Sequence, residues 1–137
     1  MALTDAQKDA IIVAEAFGNC CYKVTLAEGC RKGDALGYSS GWKRALATTG
    51  TAIQCKCIAL EDGVTGAVIA VSSHCIIGGR FSANTIGGSV YAAEGTSNGQ
   101  YTQTAPTTGG DCNTIIGVAL SATEVLFFPG NRVESVG

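Results

Sequence analysis

Residues 51–77 read TAIQCKCIALEDGVTGAVIAVSSHCII and contain two apolar runs that are separated by a turn. The runs TAIQCKCIAL and AVIAVSSHCII are rich in β-branched residues, which favour strands. EDGVTG, residues 61–66, is typical of a hairpin loop, because Gly63 and Gly66 can adopt the positive φ that such loops need. AVIAV is apolar throughout, so both faces of this strand should be covered, as in a sandwich, a closed barrel or a subunit interface. The stretch therefore predicts antiparallel strands in a layered or barrel-like domain.

Six further runs with strand character lie in the rest of the chain, and glycine-containing turns separate them. They are YKVTLA, DALGYS, SVYAAE, QYTQT, TIIGVAL and EVLFF, and EVLFF contains a second continuous apolar stretch, VLFF. A chain of 137 residues has the usual size of one domain. We therefore expect an all-β fold of about eight short strands over residues 24–137. A small β-sandwich and a small barrel are both open.

The N-terminal segment, residues 1–23, is expected to form an arm. TDAQKDAIIVAEAF, residues 4–17, has helical spacing of apolar residues, with Thr4 as a capping residue and Gly18 as a stop. An isolated segment of this length needs a neighbour to become ordered, so helical and extended conformations are both open. The segment has no basic leader and no cleavage site of a signal peptide, which predicts synthesis in the cytoplasm. Its apolar residues are expected to contact a neighbouring subunit: Leu3, Ile11, Ile12, Val13 and Phe17.

Charge and hydropathy exclude two classes of partner. Charged residues make up 15% of the chain and the formal net charge is −2, which argues against nucleic acid as the main partner. The only adjacent cations, Arg31-Lys32 and Lys43-Arg44, are interpreted as solvated loop charges. No apolar run approaches the roughly 20 residues that span a bilayer. Because an ordinary soluble protein has about 25% charged residues, the low charge predicts that sister subunits cover part of the surface.

Seven cysteines allow three interpretations. A metal site is suggested by Cys55 and Cys57, which would face the same way on a strand, together with His74-Cys75, but these spacings do not match structural zinc. Disulfides that form in an oxidising medium, some of them between subunits, are an alternative. We favour the third interpretation, that most of the thiols are small buried hydrophobes, and we predict no metal and no cofactor. The seven are Cys20, Cys21, Cys30, Cys55, Cys57, Cys75 and Cys112.

The sequence contains no combination of residues that predicts catalysis. His74 and Cys75 would point to opposite faces of a strand, and Glu61-Asp62 belong to a predicted turn. The carboxylates Asp34, Glu94 and Asp111 are interpreted as isolated turn or strand-end residues, and the glycine-rich stretches lack the lysine of a phosphate loop. We therefore expect no enzyme and no small-molecule substrate.

Four aromatic residues could instead line a carbohydrate-binding face, which is the alternative function from another class. They lie on four separate segments, and this scatter favours core and interface positions. The residues are Trp42, Tyr38, Tyr91 and Tyr101.

Five motifs in a fixed order resemble those of the tailed-bacteriophage head decoration proteins, which are also called capsid cement proteins. The resemblance covers about residues 24–128 and has Ala45 between its first two motifs. The motifs are GDALGY at 33–38, CIALEDG at 57–63 followed by GxVxxV at 66–71, IGGSVY at 86–91, GxxTxT at 99–104, and IGVAL at 116–120 before VLF at 125–127.

The resemblance implies a compact, commonly trimeric β domain on the outside of an icosahedral head. It would sit at three-fold positions and bridge neighbouring major capsid proteins, so the expected partners are the major capsid protein and the chain itself, as a homotrimer. The expected location is the outer capsid surface of a virion, after synthesis in the host cytoplasm. Residues 1–23 and the high cysteine count depart from the family's pattern. A tail-tube subunit is a structural alternative.

Overall fold

The computed structural model describes residues 12–15, 21–78, 81–130 and 134–137. All regular structure in these ranges is β, which confirms the predicted all-β class. The eleven strands are β1 (Ile12–Glu15), β2 (Cys21–Thr25), β3 (Ala35–Tyr38), β4 (Trp42–Arg44), β5 (Cys57–Ala59), β6 (Val68–Ser72), β7 (Cys75–Gly78), β8 (Ser89–Ala92), β9 (Tyr101–Thr102), β10 (Ile115–Ala119) and β11 (Glu124–Phe127).

The strands form two antiparallel sheets. The first has the order β1-β7-β11-β10-β8-β9, and the second has the order β2-β6-β5-β3-β4. The second sheet curls into a half-barrel, and an isolated bridge between Leu26 and Trp42 joins its two edges. The Ala27 N–H donates to the Trp42 carbonyl oxygen across this bridge, at 2.9 Å. The fold therefore combines the two predicted alternatives, since the six-stranded sheet packs against the outside of a half-barrel.

The main core lies between the sheets. Phe127 and Tyr101 are fully buried there, and their rings meet edge to face with centroids 4.6 Å apart. The Tyr101 hydroxyl donates to the Gly33 carbonyl oxygen at 2.9 Å, which satisfies its only polar group inside the core. Because Gly33 belongs to the half-barrel and Tyr101 to the six-stranded sheet, this bond also ties the two layers together.

A second core fills the half-barrel. Successive residues of its strands alternate between the two cores, so Ala35 and Ile58 face the other sheet while Leu36 and Cys57 face the interior. All three residues of β5 are fully buried as a result. A strand in this position needs an apolar residue at every place, which explains the continuous run CIA.

Two other continuous runs do not have both faces covered within one chain. In β6, Ile69 and Val71 are buried, whereas Val68 on the opposite face is 58% exposed. In β11, Val125 and Phe127 are buried, whereas Leu126 is partly exposed. Within the single chain, one face of AVIAV and one face of VLFF are therefore left partly uncovered, and their cover by a subunit interface stays a prediction.

Glycines are required where strands or loops approach closely. A Cβ on Gly63 would lie 2.6 Å from Leu26 Cδ1 and 2.7 Å from Ile69 Cγ2, so the half-barrel core demands glycine there. The predicted positive φ is found at Gly66, with φ 88°, but Gly63 is not among the positive-φ residues. EDGVTG does join the antiparallel strands β5 and β6, as the sequence predicts.

Part of the predicted arm is extended. Strand β1 pairs with β7 at the edge of the six-stranded sheet, where Ile12 lies opposite Ile77 and Glu15 opposite Cys75. The pairing register shifts between Ile12 and Ala14. Strand β2 begins at Cys21, within the segment 1–23 that the sequence assigns to the arm.

Candidate interaction surface

The outer face of the six-stranded sheet carries a row of apolar side chains. Val118 lies opposite Leu126 on β11, and Leu126 lies opposite Ile76 on β7. Residues paired across antiparallel strands share a face, so these three side chains form one row. Their chain neighbours point into the core and are buried, whereas all three are partly exposed. We call Ile76, Val118, Leu126 and the adjacent Ile115 and Phe128 the outer face.

A groove of about 550 Å³ lies at one end of the outer face. Ile115, Val118 and Phe128 contribute to its lining, and Ile115 is 42% exposed. The register between β8 and β10 shifts between Ile115 and Gly117, so Ile115 stays on the outside, opposite Tyr91. The groove therefore adjoins the apolar row, although Ser89, Thr114 and Glu134 also line it.

Two carboxylates lie beside the outer face. Glu124 is the first residue of β11, and Glu134 lines the groove. Each of the five side chains of the outer face is uncharged and apolar. Such a face can contact another protein without desolvating an unpaired charge, which is the usual character of an interface centre.

A polar cleft of about 490 Å³ lies where the half-barrel ends. The Arg44 Nε–H donates to Glu28 Oε1 at 2.8 Å, and the Arg44 backbone N–H donates to the same oxygen at 3.1 Å. Burial raises the pKa of Glu28, but the two hydrogen bonds and the charge of Arg44 outweigh burial and hold that pKa below its ordinary value. This ion pair fixes the strand β4 to the loop before β3.

The carboxylates that the sequence assigns to turns bind backbone groups. Asp62 Oδ1 accepts from the Lys32 N–H at 2.7 Å, and Glu61 Oε1 accepts from the Ala70 N–H at 3.0 Å. Asp111 is not isolated, because its Oδ1 accepts from the Thr49 N–H at 2.7 Å. A side-chain interaction with Asp111 raises the pKa of Glu94 above its ordinary value. Within the described ranges, no group of three or more His, Cys, Asp or Glu side chains is placed to hold a metal ion.

Of the six cysteines that the structure describes, five are buried, and the sixth, Cys21, is exposed. Cys55 belongs to the core between the sheets and Cys57 to the half-barrel core, so they do not share a face. The strand begins only at Cys57, and strand alternation therefore does not extend back to Cys55. Cys20 lies outside the described residues, and the disulfides stay an alternative prediction.

Burial lowers the reactivity of the inner thiols. It raises the pKa of Cys30 to about 11 and that of Cys57 to about 12, and it raises the pKa of Cys55 well above the ordinary value. Because the thiolate is the reactive form, we expect iodoacetamide at mildly alkaline pH to label these three roughly 100-fold more slowly in the native protein than in urea. Peptide mass spectrometry measures the difference. Equal labelling rates would contradict the buried positions.

The four aromatic residues do not form a common platform. Tyr101 is a core residue, and Tyr91 lies in β8 opposite Ile115. Tyr38 and Trp42 do meet, edge to face, with ring centroids 5.7 Å apart, and Tyr38 is 65% exposed. Trp42 also packs against the half-barrel core. A carbohydrate face would therefore rest on this pair alone.

The arm residues that were expected to contact a neighbour are only partly described. Leu3, Ile11 and Phe17 lie outside the described residues, while Ile12 and Val13 belong to β1. The contact of all five with a neighbour stays a prediction.

The sequence analysis did not predict the outer face as one surface. The apolar run VLFF did indicate that both faces of its strand need to be covered. No helix in the part of the chain that the structure describes is able to span a bilayer.

The chain matches none of the protein-family models, none of the curated proteins and none of the solved structures with which it was compared.

Proposed function

We propose that the chain is a structural virion protein that decorates the outer surface of an assembled phage head. It bridges neighbouring major capsid proteins and associates with copies of itself, as a homotrimer. Two independent lines support the proposal: the ordered motifs that resemble the head decoration proteins, and the uncovered apolar outer face. The outer face is the observation that carries the proposal, because it comes from the fold and not from the resemblance.

The motif residues occupy positions that the fold constrains. Gly33 accepts a hydrogen bond from Tyr101, and the next residue, Asp34, is buried and accepts from the Arg31 N–H at 3.0 Å. Gly99 packs so closely on Asp34 that a Cβ would lie 3.0 Å from the carboxyl carbon. The motifs GD and GxxTxT thus meet in space although they are distant in sequence. The contact between these two motifs supports a resemblance that extends over the whole fold.

The proposed mechanism is the addition of contact area to a finished shell. A protein that binds the assembled lattice and not the separated subunits stabilises the lattice by mass action. Each fully buried Leu, Ile or Val side chain contributes about 1.5–3 kcal/mol, so a few outer-face residues suffice for a useful contact. A trimer on a local three-fold axis makes the same contact three times and gains through multivalency.

Co-sedimentation tests the proposal directly. The purified chain is mixed with expanded heads of the phage that encodes it, prepared without the chain, and in parallel with the unassembled major capsid protein. We expect the chain to sediment with the heads and not to bind the unassembled protein. An absence of binding to heads, or equal binding to both forms, would overturn the proposal.

Leu126→Asp is expected to reduce self-association or head binding at least tenfold, which corresponds to about 1.4 kcal/mol, because it places an unpaired charge in the interface. The side chain faces outward, so the fold should survive. Val64→Asp is the matched control, since Val64 is 74% exposed in the loop between β5 and β6. If Leu126→Asp retained both self-association and head binding, the outer face would not be the contact surface.

The carbohydrate-binding alternative rests on the Tyr38–Trp42 pair. Aromatic rings hold sugars through their faces, and Tyr38 is accessible enough to do so. Glycan binding that disappears in Tyr38→Ala, in a variant that still folds, would favour this function. Glycan binding that does not depend on Tyr38 would rule out a carbohydrate site at this pair.

A further inference from the structure

The side chains of Cys112 and Gln54 are in direct contact, although 58 residues separate them along the chain. Cys112 Sγ lies 2.5 Å from Gln54 Oε1, which is shorter than a normal hydrogen bond. Oε1 is bonded to the carbonyl carbon Cδ, so the sulfur also lies beside this electrophilic carbon. Cysteine sulfur is a strong nucleophile. The fold therefore holds a nucleophile against an acyl group.

The adjacent residues Leu46 and Ala47 hold the two side chains in place. Leu46 and Ile53 form a β-bridge, in which the Ile53 N–H donates to the Leu46 carbonyl oxygen at 2.9 Å, directly before Gln54. The Cys112 N–H donates to the Ala47 carbonyl oxygen at 2.8 Å. Because both backbones are bonded to one short segment, the contact is part of the fold. Cys112 is only 9% exposed, so the contact is shielded from water.

Thr114 places a hydroxyl group beside the contact. Its Oγ1–H donates to Gln54 Oε1 at 3.2 Å, and Oγ1 lies 3.6 Å from Cys112 Sγ. The backbone N–H of Glu134 donates to Thr114 Oγ1 at 2.9 Å, which fixes the position of the hydroxyl oxygen. A donor to Oε1 stabilises the negative charge that this oxygen gains when a nucleophile attacks Cδ. The cluster therefore combines a nucleophile, an acyl group and an oxyanion donor.

The amide nitrogen of Gln54 stands in contrast to its oxygen. Oε1 accepts from two side chains, whereas Nε2 is buried and makes no hydrogen bond within the part of the chain that the structure describes. A buried donor without an acceptor destabilises the fold. A reaction that removes Nε2 also removes this unfavourable group.

We propose that Cys112 and Gln54 form an internal thioester. Cys112 Sγ attacks Gln54 Cδ, the Sγ–Cδ bond forms and the Cδ–Nε2 bond breaks. The thiol proton passes to Nε2, which leaves as ammonia, so the step needs no oxidant and no cofactor. Loss of ammonia to the solvent and removal of the buried, unsatisfied nitrogen draw the step forward. The thioester goes beyond the proposed function and does not depend on it.

The thioester cross-links two segments that are distant in sequence. It closes a loop of 58 residues, and a cross-link over such a loop stabilises a protein mainly by restricting the unfolded chain. Unlike a disulfide, it does not require an oxidising compartment and is not opened by a phosphine reductant. An amine opens it.

Intact mass spectrometry of the purified, denatured chain in the presence of a phosphine tests the proposal. We expect a mass lower than that of the sequence by one molecule of ammonia. Iodoacetamide in urea should label all but one of the seven cysteines, and peptide mass spectrometry should find Gln54 joined to Cys112. The full sequence mass, with all seven cysteines labelled, would overturn the proposal.

Methylamine separates the thioester from other losses of ammonia. It should add one methylamine at Gln54, expose the Cys112 thiol to iodoacetamide and lower the Tm of the wild type. A succinimide at Asn98-Gly99 also lacks one ammonia, but it leaves all seven thiols free to react. A mass deficit without a protected thiol would therefore contradict the thioester.

Three variants assign the reaction to these residues. Cys112→Ala should have its full sequence mass and a Tm that methylamine does not change. Cys21→Ser is the control, because it removes an exposed thiol and should keep the mass deficit. Thr114→Val lacks the donor to Oε1 and should form the thioester roughly 100-fold more slowly, as measured by sampling the mass over time. A mass deficit that persists in Cys112→Ala would overturn the proposal.

Discussion

Phe127→Ala is expected to lower the free energy of unfolding by about 3–5 kcal/mol, the usual cost of truncating a buried phenylalanine. The ring is fully buried between the two layers and packs edge to face on Tyr101. Gly117 lies opposite Phe127 on β10 and offers no side chain to fill the space. The cavity should therefore persist. Urea denaturation monitored by circular dichroism measures the loss.

Tyr101→Phe is the matched control for the same contact. It keeps the aromatic ring and removes only the hydroxyl group that donates to the Gly33 carbonyl oxygen. A lost hydrogen bond of this kind costs about 0.5–1.5 kcal/mol, so the two variants should differ clearly. If Phe127→Ala lowered the free energy of unfolding by less than about 1 kcal/mol, and not by the expected loss of about 3–5 kcal/mol, the core between the layers would be packed differently.

Gly37→Ala is expected to lower the free energy of unfolding by about 3 kcal/mol or more, which is at or above the upper end of the usual loss caused by overpacking. A Cβ on Gly37 would lie 2.0 Å from the Gln54 carbonyl oxygen and 2.8 Å from Ile53 Cγ2. The nearest atom belongs to the backbone and has no rotamer with which to move away. Strand β3 and the segment before β5 would have to separate. Soluble yield and Tm measure the effect.

Gly130→Ala is the control for Gly37→Ala. Among the described residues, no atom lies within 4 Å of a Cβ at this position, and surface changes of this kind usually stay within about 0.5 kcal/mol. The Tm of Gly130→Ala should therefore match that of the wild type. Equal Tm values for the two alanine variants would contradict the close approach of the backbone at Gly37.

The sequence predicts the fold class well because strand and turn signals are local. AVIAVSSHCII nevertheless forms two strands, because the Ser72 hydroxyl donates to the His74 carbonyl oxygen at 2.6 Å and a bend separates β6 from β7. Strand β4, Trp42–Arg44, was not predicted, since two of its three residues are charged and it is ordered by backbone pairing with β3. Both departures depend on contacts outside the local pattern.

The candidate sites could not be predicted from the sequence, because they depend on the pairing register. Ile76, Val118 and Leu126 become one row only when β7, β11 and β10 lie side by side. The local pattern indicates that VLFF needs a cover on both faces, but it does not reveal which residues share the uncovered side.

Stability and association are separable in this account. The two cores hold the residues on which the fold depends, and the outer face lies on the other side of β7, β10 and β11, whose inward residues belong to the core between the sheets. Outer-face variants should therefore change association with little effect on folding, and core variants should do the reverse.

The mass of the purified chain in solution tests the central claim most directly, because it requires no knowledge of the phage. Sedimentation equilibrium should give a trimer for the wild type and a monomer for Leu126→Asp, as expected when an apolar face mediates closed, symmetric association. Six copies would favour a tail-tube subunit. A wild type that stays monomeric at high concentration, with a mass equal to that of Leu126→Asp, would contradict the claim that the outer face mediates self-association.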